Sequence, residues 1–381
     1  MNEVAGNKRW GLTPWVIDYR PRFNFEVATG LIPDVVDFAI VGGGFTGLAT
    51  AACLRRIDPS KSVVVFEAET IGAGASGHTG GMCLGETAVG PMPGLGDVLS
   101  GFSGLLRDLE VDCDLSLPGA SELAQKKGGA ASAIHWNDSG DLHVVEEVPG
   151  GTIDAGKMVS GLARTAEKLG AMIFENARVE DVKYGTLMIL RVAEREVRAR
   201  RVLFATNALT LEMSGLAGSA QSKFTLALAT EPLSDEQLSE IGLASRKPFY
   251  TVDFPYLWGR LLNTNGVIFG SGLVHFKEWR EAYELQIDSG EASELMARLE
   301  KRVHGLHPAL RDVKVTHRWG GPILVAAEWQ PIFSRHPQSA DAFVLGAYSG
   351  HGVALSVYLG NWAAEMLLGR RELPKWDVGE E

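Results

Sequence analysis

Three glycines, Gly42, Gly44 and Gly47, constrain this chain more than any other feature. They stand in Gly42-Gly43-Gly44-Phe45-Thr46-Gly47, directly after the apolar run Asp34–Val41. A short apolar run with no alternation suits a strand buried on both faces of a parallel sheet. In the GxGxxG pattern the first glycine permits a tight turn. The second lets backbone approach a pyrophosphate, and the third lets the following helix pack closely on the strand. Leu48, Ala49, Ala52 and Ile57 continue at helical spacing up to Asp58-Pro59, and Ser62–Glu67 gives a second buried strand. Glu67 lies 20 residues past Gly47. A carboxylate there can accept the hydroxyls of a ribose. The reading is a β-turn-α-β dinucleotide unit, with phosphates at a helix N-terminus that offers free N–H groups and partial positive charge.

The rest of the chain fits a larger α/β enzyme. At 381 residues it exceeds what one compact core usually holds, which predicts about two domains. A net charge of −11 argues against broad nucleic-acid binding and would suit a cationic substrate. Cys53, Cys83 and Cys113 show no CxxC or metal-ligand spacing, so free thiols in a cytoplasmic protein are expected, with no metal. His304 and His307 are spaced i, i+3, but Gly305 and Pro308 spoil the helix. No apolar run approaches a membrane span. Residues 1–33 read as an irregular arm with aromatic anchors, and residues 99–150 as irregular and mixed. Helices are expected after Asp154, a candidate N-cap, and over 234–243, 291–304 and 352–368. Strands are expected at 171–174, 202–206, 224–230, 266–273 and 342–347.

A second glycine-rich stretch, Gly74-Ala75-Ser76-Gly77-His78-Thr79-Gly80-Gly81-Met82, follows the second strand. A nicotinamide enzyme has no need of it. A flavin enzyme does, because the long isoalloxazine must be approached by backbone along its edge. Here the chain resembles the glycine oxidase and D-amino acid oxidase superfamily of flavoproteins. It is most similar to the gamma-glutamylputrescine oxidase branch, which carries Ala-Ser-Gly-Arg-Asn-Gly-Gly at this point. Residues 75–81 match except at His78 and Thr79. Tyr348-Ser349-Gly350-His351-Gly352-Val353 also resembles that branch, where a Gly-His-Gly turn leads into the final helix. The resemblance spans roughly residues 12–370 and is strongest at both ends.

The resemblance implies FAD as cofactor. It would be held by Gly42, Gly44, Phe45, Thr46, Gly47, Glu67, Ala68, Ala75, Ser76, His78, Gly80, Gly81, Met82, Val179, Thr206, Gly321, Gly350, His351, Gly352, Val353 and Ala354. Free N–H groups at 352–354 would stabilise charge at the N1/C2=O end of the reduced flavin. Val179 and Ala205–Ala208 match positions flanking the adenine and diphosphate. Met82, Tyr256, Trp258, Arg260, Trp319 and His351 are the pocket candidates. Trp329 is a further aromatic that could wall the pocket.

Three departures matter. Amino-acid oxidases of the superfamily hold the substrate carboxylate with an arginine in a Gly-x-Arg-Pro-like stretch, whereas here the stretch is Trp319-Gly320-Gly321-Pro322. That favours an amine without an α-carboxylate. Sarcosine oxidases have a flavin-adjacent lysine where this chain has Ile268, so either oxygen or another carrier stays open as electron acceptor. His78 replaces the branch's arginine, and dimethylglycine dehydrogenases bond flavin covalently through a histidine in a similar loop, so both covalent and noncovalent flavin stay open.

The expected fold is therefore α/β. It has a Rossmann-like FAD domain from 1–95, 151–220 and 331–381, and an antiparallel-sheet substrate domain from 96–150 and 221–330. The expected function is oxidation of a primary or secondary amine to an imine by hydride transfer to flavin N5. The alternatives are an amino-acid dehydrogenase using a non-oxygen acceptor and a non-catalytic flavoprotein subunit.

Overall fold

A computed structural model of the chain describes residues 8–23, 25, 29–125 and 132–376. Strand β1 (Val35–Val41) leads to helix α1 (Phe45–Ile57) and β2 (Val63–Phe66). A one-turn helix α2 (Ala75–His78), strand β3 (Met82–Leu84) and helix α3 (Val98–Asp108) follow. Then come β4 (Ala120–Ala124), β5 (His135–Asn137), β6 (Asp141–Val148) and β7 (Gly150–Thr152). Helix α4 (Ala155–Lys168) precedes β8 (Met172–Phe174), β9 (Val179–Lys183), β10 (Met188–Val192) and β11 (Arg195–Phe204). Next are α5 (Leu211–Ser214), β12 (Ala220–Thr230), α6 (Asp235–Glu240), β13 (Phe249–Thr251), β14 (Leu257–Leu261) and β15 (Val267–His275). The chain closes with α7 (Glu281–Glu284), α8 (Gly290–Leu306), β16 (Val315–Ala326), β17 (Ile332–His336), β18 (Ser339–Gly346) and α9 (Gly352–Leu367).

The first sheet has the order β17-β18-β11-β1-β2-β8, and β9 and β10 pair off β11. Strands β18, β11, β1, β2 and β8 run parallel. Alternate residues of β1 and β2 enter two cores. Ile40, Val63 and Val65 join helices α1, α3, α4 and α9 on one face, while Val41, Val64 and Phe66 join β9 and β10 on the other. Burial on both faces explains why these strands are continuously apolar. Helix α9 lies close on α1: a Cβ at Gly360 would stand 3.0 Å from that of Ala49. Helix α4 begins where Asp154 caps it, accepting from Lys157 N at 2.8 Å, and Gly170 with φ +99° follows its end.

The second sheet has the order β16-β12-β15-β14-β13-β4-β6-β5, antiparallel except for β13 on β4. One face, with Phe224, Leu228, Phe249 and Phe269, packs on α8. The other turns Ala227, Ala229, Ile268 and Trp319 into the core of the first sheet's helices, with Trp258 packed against it.

The structure departs from expectation at α3. Residues 99–150 read as irregular and mixed within the substrate domain, yet Val98–Asp108 form a helix whose Leu99, Phe102, Leu105 and Leu106 pack into the α1/α4/α9 core, and the second sheet's first strand begins at Ala120. An amphipathic face specifies that a helix is covered, not by which neighbour. None of the helices among the described residues is long and apolar enough to cross a membrane.

Candidate flavin site

Four segments far apart in sequence meet at the start of α1. Gly42 has φ +113°, and its amide donates to Phe66 O at 2.9 Å. A side chain there would run into Ala205 O, and one at Gly47 would stand 2.0 Å from Gly42 O. These two glycines are needed for the fold itself. Gly44 differs: its φ of −89° is ordinary, and a Cβ would meet only Ser76 Oγ within hard contact, at 2.8 Å. That hydroxyl accepts from Phe45 N at 2.9 Å, which ties α2 to the N-terminus of α1. Tyr348 Oη and Thr46 Oγ1 share a hydrogen bond of 2.7 Å, and Asn207 Oδ1 accepts from Ala347 N at 3.0 Å. The loop after β1, the second glycine loop, the turn after β11 and the turn before α9 thus form one cradle.

Glu67 is held at its rim. Its carboxylate accepts from Gly43 N at 2.8 Å and Glu69 N at 2.9 Å. Burial pushes the carboxyl up from the usual range, against the pull of those two amides. Ala177 N donates to Glu67 O at 2.8 Å, which brings Val179 to the same end, and Ala68 follows Glu67 on the rim. The turn before α9 is strained: Ala347, Ser349 and Gly350 all have positive φ. No side chain caps α9 among the described residues, so the amides of Gly352, Val353 and Ala354 keep the unpaired character of a helix start. His351 lies beside them, with its pKa lowered by burial.

The structure also shows whether a dinucleotide suits this cradle. Thr206 Oγ1 is buried with no hydrogen-bond partner among the described residues, and Thr206 N lies 3.3 Å from where a Gly42 Cβ would be. An orphaned donor beside a glycine loop and a helix N-terminus fits a phosphate-bearing ligand. Two surface clefts lie elsewhere. One of about 310 Å³ surrounds Arg200 and Arg201, and one of about 400 Å³ adjoins Ile32 and Arg198. In the first, Arg200 pairs with Asp37 and Arg201 with Asp341.

The remaining expected residues divide. His78 Nδ1 bonds Gly74 O at 2.9 Å, and its ring meets Trp10 edge-on at 5.2 Å. Burial lowers its pKa, so the imidazole is neutral at pH 7. Trp319 is fully buried and donates to His78 O at 3.0 Å, and Gly321 backs onto His78 Cβ, so both support α2 from behind. Ala75 opens α2, and Met82 begins β3 opposite Thr152. Trp258 lies on Gly80 and Gly270: a Cβ at either would come within 2.2 Å of its ring. Arg260 reaches Gly81 O at 3.2 Å. Tyr256 is a correction. It is 40% exposed and packs on exposed Phe254 with centroids 4.1 Å apart and ring planes tilted by 39°, so it stands at a surface tip instead of in a pocket. Trp329 is likewise exposed. His304 and His307 serve turns: His304 bonds Val313 O, and His307 accepts from Ala309 N.

Two features escaped the sequence reading. The first is a row of cross-strand neighbours, Gly270–Trp258–Tyr250–Glu122–Glu146, crossing β15, β14, β13, β4 and β6. Tyr250 Oη donates to Glu122 at 3.2 Å, and burial pushes the Glu86 carboxyl up, with Glu122 and Glu146 adding to the rise. The second is where the N-terminal arm docks. Gly11 pairs with Trp319 and Trp15 Nε1 donates to Thr79 O at 2.8 Å, while Arg9 pairs with Glu69 at 2.7 Å.

Fold and cradle together define an FAD-binding oxidoreductase. The chain belongs to the FAD dependent oxidoreductase family, whose model matches residues 37–366. It is 26% identical over 378 residues to gamma-glutamylputrescine oxidoreductase of Escherichia coli (strain K12), covering 88% of this chain and 84% of that protein. Glycine oxidase of Bacillus licheniformis is 23% identical, covering 89% and 95%. Among solved structures, glycine oxidase from Geobacillus kaustophilus shares the fold, with a TM-score of 0.71 at 19% identity over 91% of this chain and 97% of that one.

Proposed function

We propose that the chain oxidises a primary or secondary amine that lacks an α-carboxylate. The observation that carries this reading is the state of the arginine next to Trp319. Arg318 is turned to the surface, where it makes a paired contact with Glu300 at 2.7 and 3.0 Å. It offers no fork of donors to a substrate carboxylate on the face that meets the first sheet. That face instead carries Trp258 and Tyr250, with the Glu122 carboxylate bonded to Tyr250 Oη and Glu86 acting on the same hydroxyl from the segment after β3, which favours a cation.

In this reading Gly42, Gly44, Phe45, Thr46 and Gly47 hold the FAD diphosphate at the start of α1, with Ser76 and Thr206 hydroxyls alongside. Glu67 and Ala68 take the ribose, and Val179 the adenine. Ala75, His78, Gly80, Gly81, Met82 and Gly321 flank the ring, and Gly350 to Ala354 its pyrimidine end. FAD, when bound, supplies the acceptor for a hydride from the amine's α-carbon, at N5. The protein's own task is orientation and exclusion of water. Trp258 supplies an apolar wall, and a neutral amine needs no general base. The test is anaerobic mixing of the yellow protein with amines, N-alkyl amines, glycine and D-amino acids. Amines are expected to bleach the flavin at least about tenfold faster, the size of one lost charge-assisted contact. Faster bleaching by glycine or a D-amino acid than by every amine would refute the reading.

His78 is proposed as a noncovalent neighbour of the flavin. Its Nδ1 is tied to Gly74 O and its ring edge is packed on Trp10, which turns the imidazole into the junction with the arm. Acid precipitation should therefore leave all the flavin in the supernatant. Yellow colour in the washed pellet, lost in His78→Ala, would show a covalent bond instead.

A further inference from the structure

Three segments far apart in sequence meet on one ring beside the end of β2. Tyr283 belongs to α7 in the second sheet's half, Arg9 to the arm, and Arg178 to the turn before β9. The Arg9 guanidinium carbon stands 4.8 Å from the centre of the Tyr283 ring and 4.7 Å from that of Trp10. The Arg178 guanidinium carbon stands 5.6 Å from the Tyr283 ring, and Trp279 meets that ring edge-on at 5.8 Å. Arg9 Nη2 pairs with Glu69 at 2.7 Å, and Glu69 N donates to the Glu67 carboxylate at 2.9 Å. Asn176 N reaches Glu69 O at 2.7 Å and Ala177 N reaches Glu67 O at 2.8 Å, so the turn that carries Arg178 is fastened to the same rim. Burial pushes the Tyr283 hydroxyl up, with Glu69 and Glu67 adding to the rise and Arg178 pulling the other way. Two observations set this cluster apart from a brace between the halves. Arg9 Nε is buried with no hydrogen-bond partner among the described residues, a donor that lacks its acceptor. Arg178 is exposed and Tyr283 half-buried, so a ligand can reach both.

We propose that Arg178, Tyr283 and Arg9 form a clasp on the adenosine half of FAD, an inference that rests on the flavin reading above. That reading gives the ribose to Glu67 and the adenine to Val179. The cluster adjoins both, since Arg178 is the residue before Val179 and Arg9 pairs with Glu69, two residues past Glu67. Adenine is a flat π-system rimmed by acceptor nitrogens. A guanidinium suits it twice, by laying its plane on the ring and by donating from its edge. Tyr283 adds a second flat surface, with a hydroxyl at its tip. Arg9, pinned at Nη2 by Glu69, keeps Nε for a ribose or purine acceptor. The diphosphate is served by the start of α1, so it does not compete for these cations. No bond forms or breaks at the clasp, which contributes affinity alone. Because Tyr283 and Arg9 come from α7 and the arm, bound FAD would also tie the second sheet's half to the first.

The experiment exchanges the bound flavin of the full chain and measures affinities for FAD and FMN by quenching of flavin fluorescence, and for ADP by calorimetry. FMN carries the ring without the adenosine, and ADP the adenosine without the ring. Arg178→Met should weaken FAD and ADP about tenfold each, the size of one desolvated cation–π contact, and leave FMN unchanged. Arg178→Lys should recover part of the loss, since charge returns without the plane. Tyr283→Ala should lower the FAD-to-FMN affinity ratio in the same direction. If that variant does not fold, Arg178→Met decides the matter, because its side chain is exposed. An unchanged FAD-to-FMN ratio in Arg178→Met, whether neither flavin weakens or both weaken alike, would make the cluster a brace between the halves and overturn the proposal. Equal ADP affinities in wild type and Arg178→Met would overturn it as well. Wild type that takes up no FAD would defeat the flavin reading itself, a separate result that needs no variant.

Discussion

Gly44→Val is expected to give a folded, colourless protein. The substitution separates ligand binding from folding because the three glycines of the loop do different work. At Gly47 a Cβ would stand 2.0 Å from Gly42 O, and at Gly42 it would meet Ala205 O at a backbone φ of +113°. Backbone cannot yield at either point without separating α1 from the sheet, so valine there should cost the fold. At Gly44 the φ is −89° and the nearest atom is a movable side-chain oxygen. The branched side chain would displace Ser76 from Phe45 N and occupy the surface over which the α1 amides face outward. A diphosphate would then lose several charge-assisted contacts at once, each of roughly 1.5–3 kcal/mol. FAD affinity should fall by about two orders of magnitude or more. Flavin absorbance per chain after gel filtration, circular dichroism and the melting curve check this together. A Gly44→Val protein with a full complement of FAD would mean that this loop is not the diphosphate site.

The same contrast explains what was legible in the sequence. The β1-α1-β2 unit lies within about 30 consecutive residues, and each glycine answers a local steric demand, so the pattern could be read without a structure. Helix α4 was equally legible, since Asp154 and Gly170 mark its two ends by local chemistry. The meeting of Thr46 with Tyr348 was only half legible. Both lay in stretches already singled out, but they are 302 residues apart and no periodicity links them.

Other features are properties of the tertiary arrangement alone. Tyr250 and Glu122 are 128 residues apart and become neighbours because β13 lies parallel on β4, a pairing no local pattern predicts. Tyr256 and Trp258 look alike in sequence as aromatic residues two apart. Yet Tyr256 precedes β14 in an exposed tip, while Trp258 lies within the strand and turns toward the first sheet. Arg260 reads as an ordinary strand arginine until the structure shows it buried and bonded to the carbonyls of Gly81 and Ile153. The arm at 8–19 has no period, and its aromatic residues gave only the expectation of anchors.

The arm leads to the second large effect, at Trp10. This residue is 1% exposed although it sits in a single 3₁₀ turn, Lys8–Trp10, near the start of the arm. Its Nε1 donates to Ala282 O at 2.8 Å, and its ring meets His78 at 5.2 Å and Phe224 at 5.8 Å. Arg9 lies over it at 4.7 Å while pairing with Glu69. One side chain therefore joins α2, next to the flavin cradle, to β12 and α7 of the second sheet's half. Trp10→Ala should destabilise the protein by about 3–5 kcal/mol through the lost burial and the cavity left behind. About 1 kcal/mol more follows from Ala282 O losing its donor. Trp329→Ala is the control: that indole is 39% exposed, and its loss should change stability by no more than about 0.5 kcal/mol. Because Trp10 bridges two halves, its loss should also weaken flavin retention, as α2 loses the neighbour that fixes His78. Urea midpoints of the two variants, with flavin release followed along the same titration, give the comparison. Equal midpoints for Trp10→Ala and Trp329→Ala would show that the arm decorates the junction without holding it.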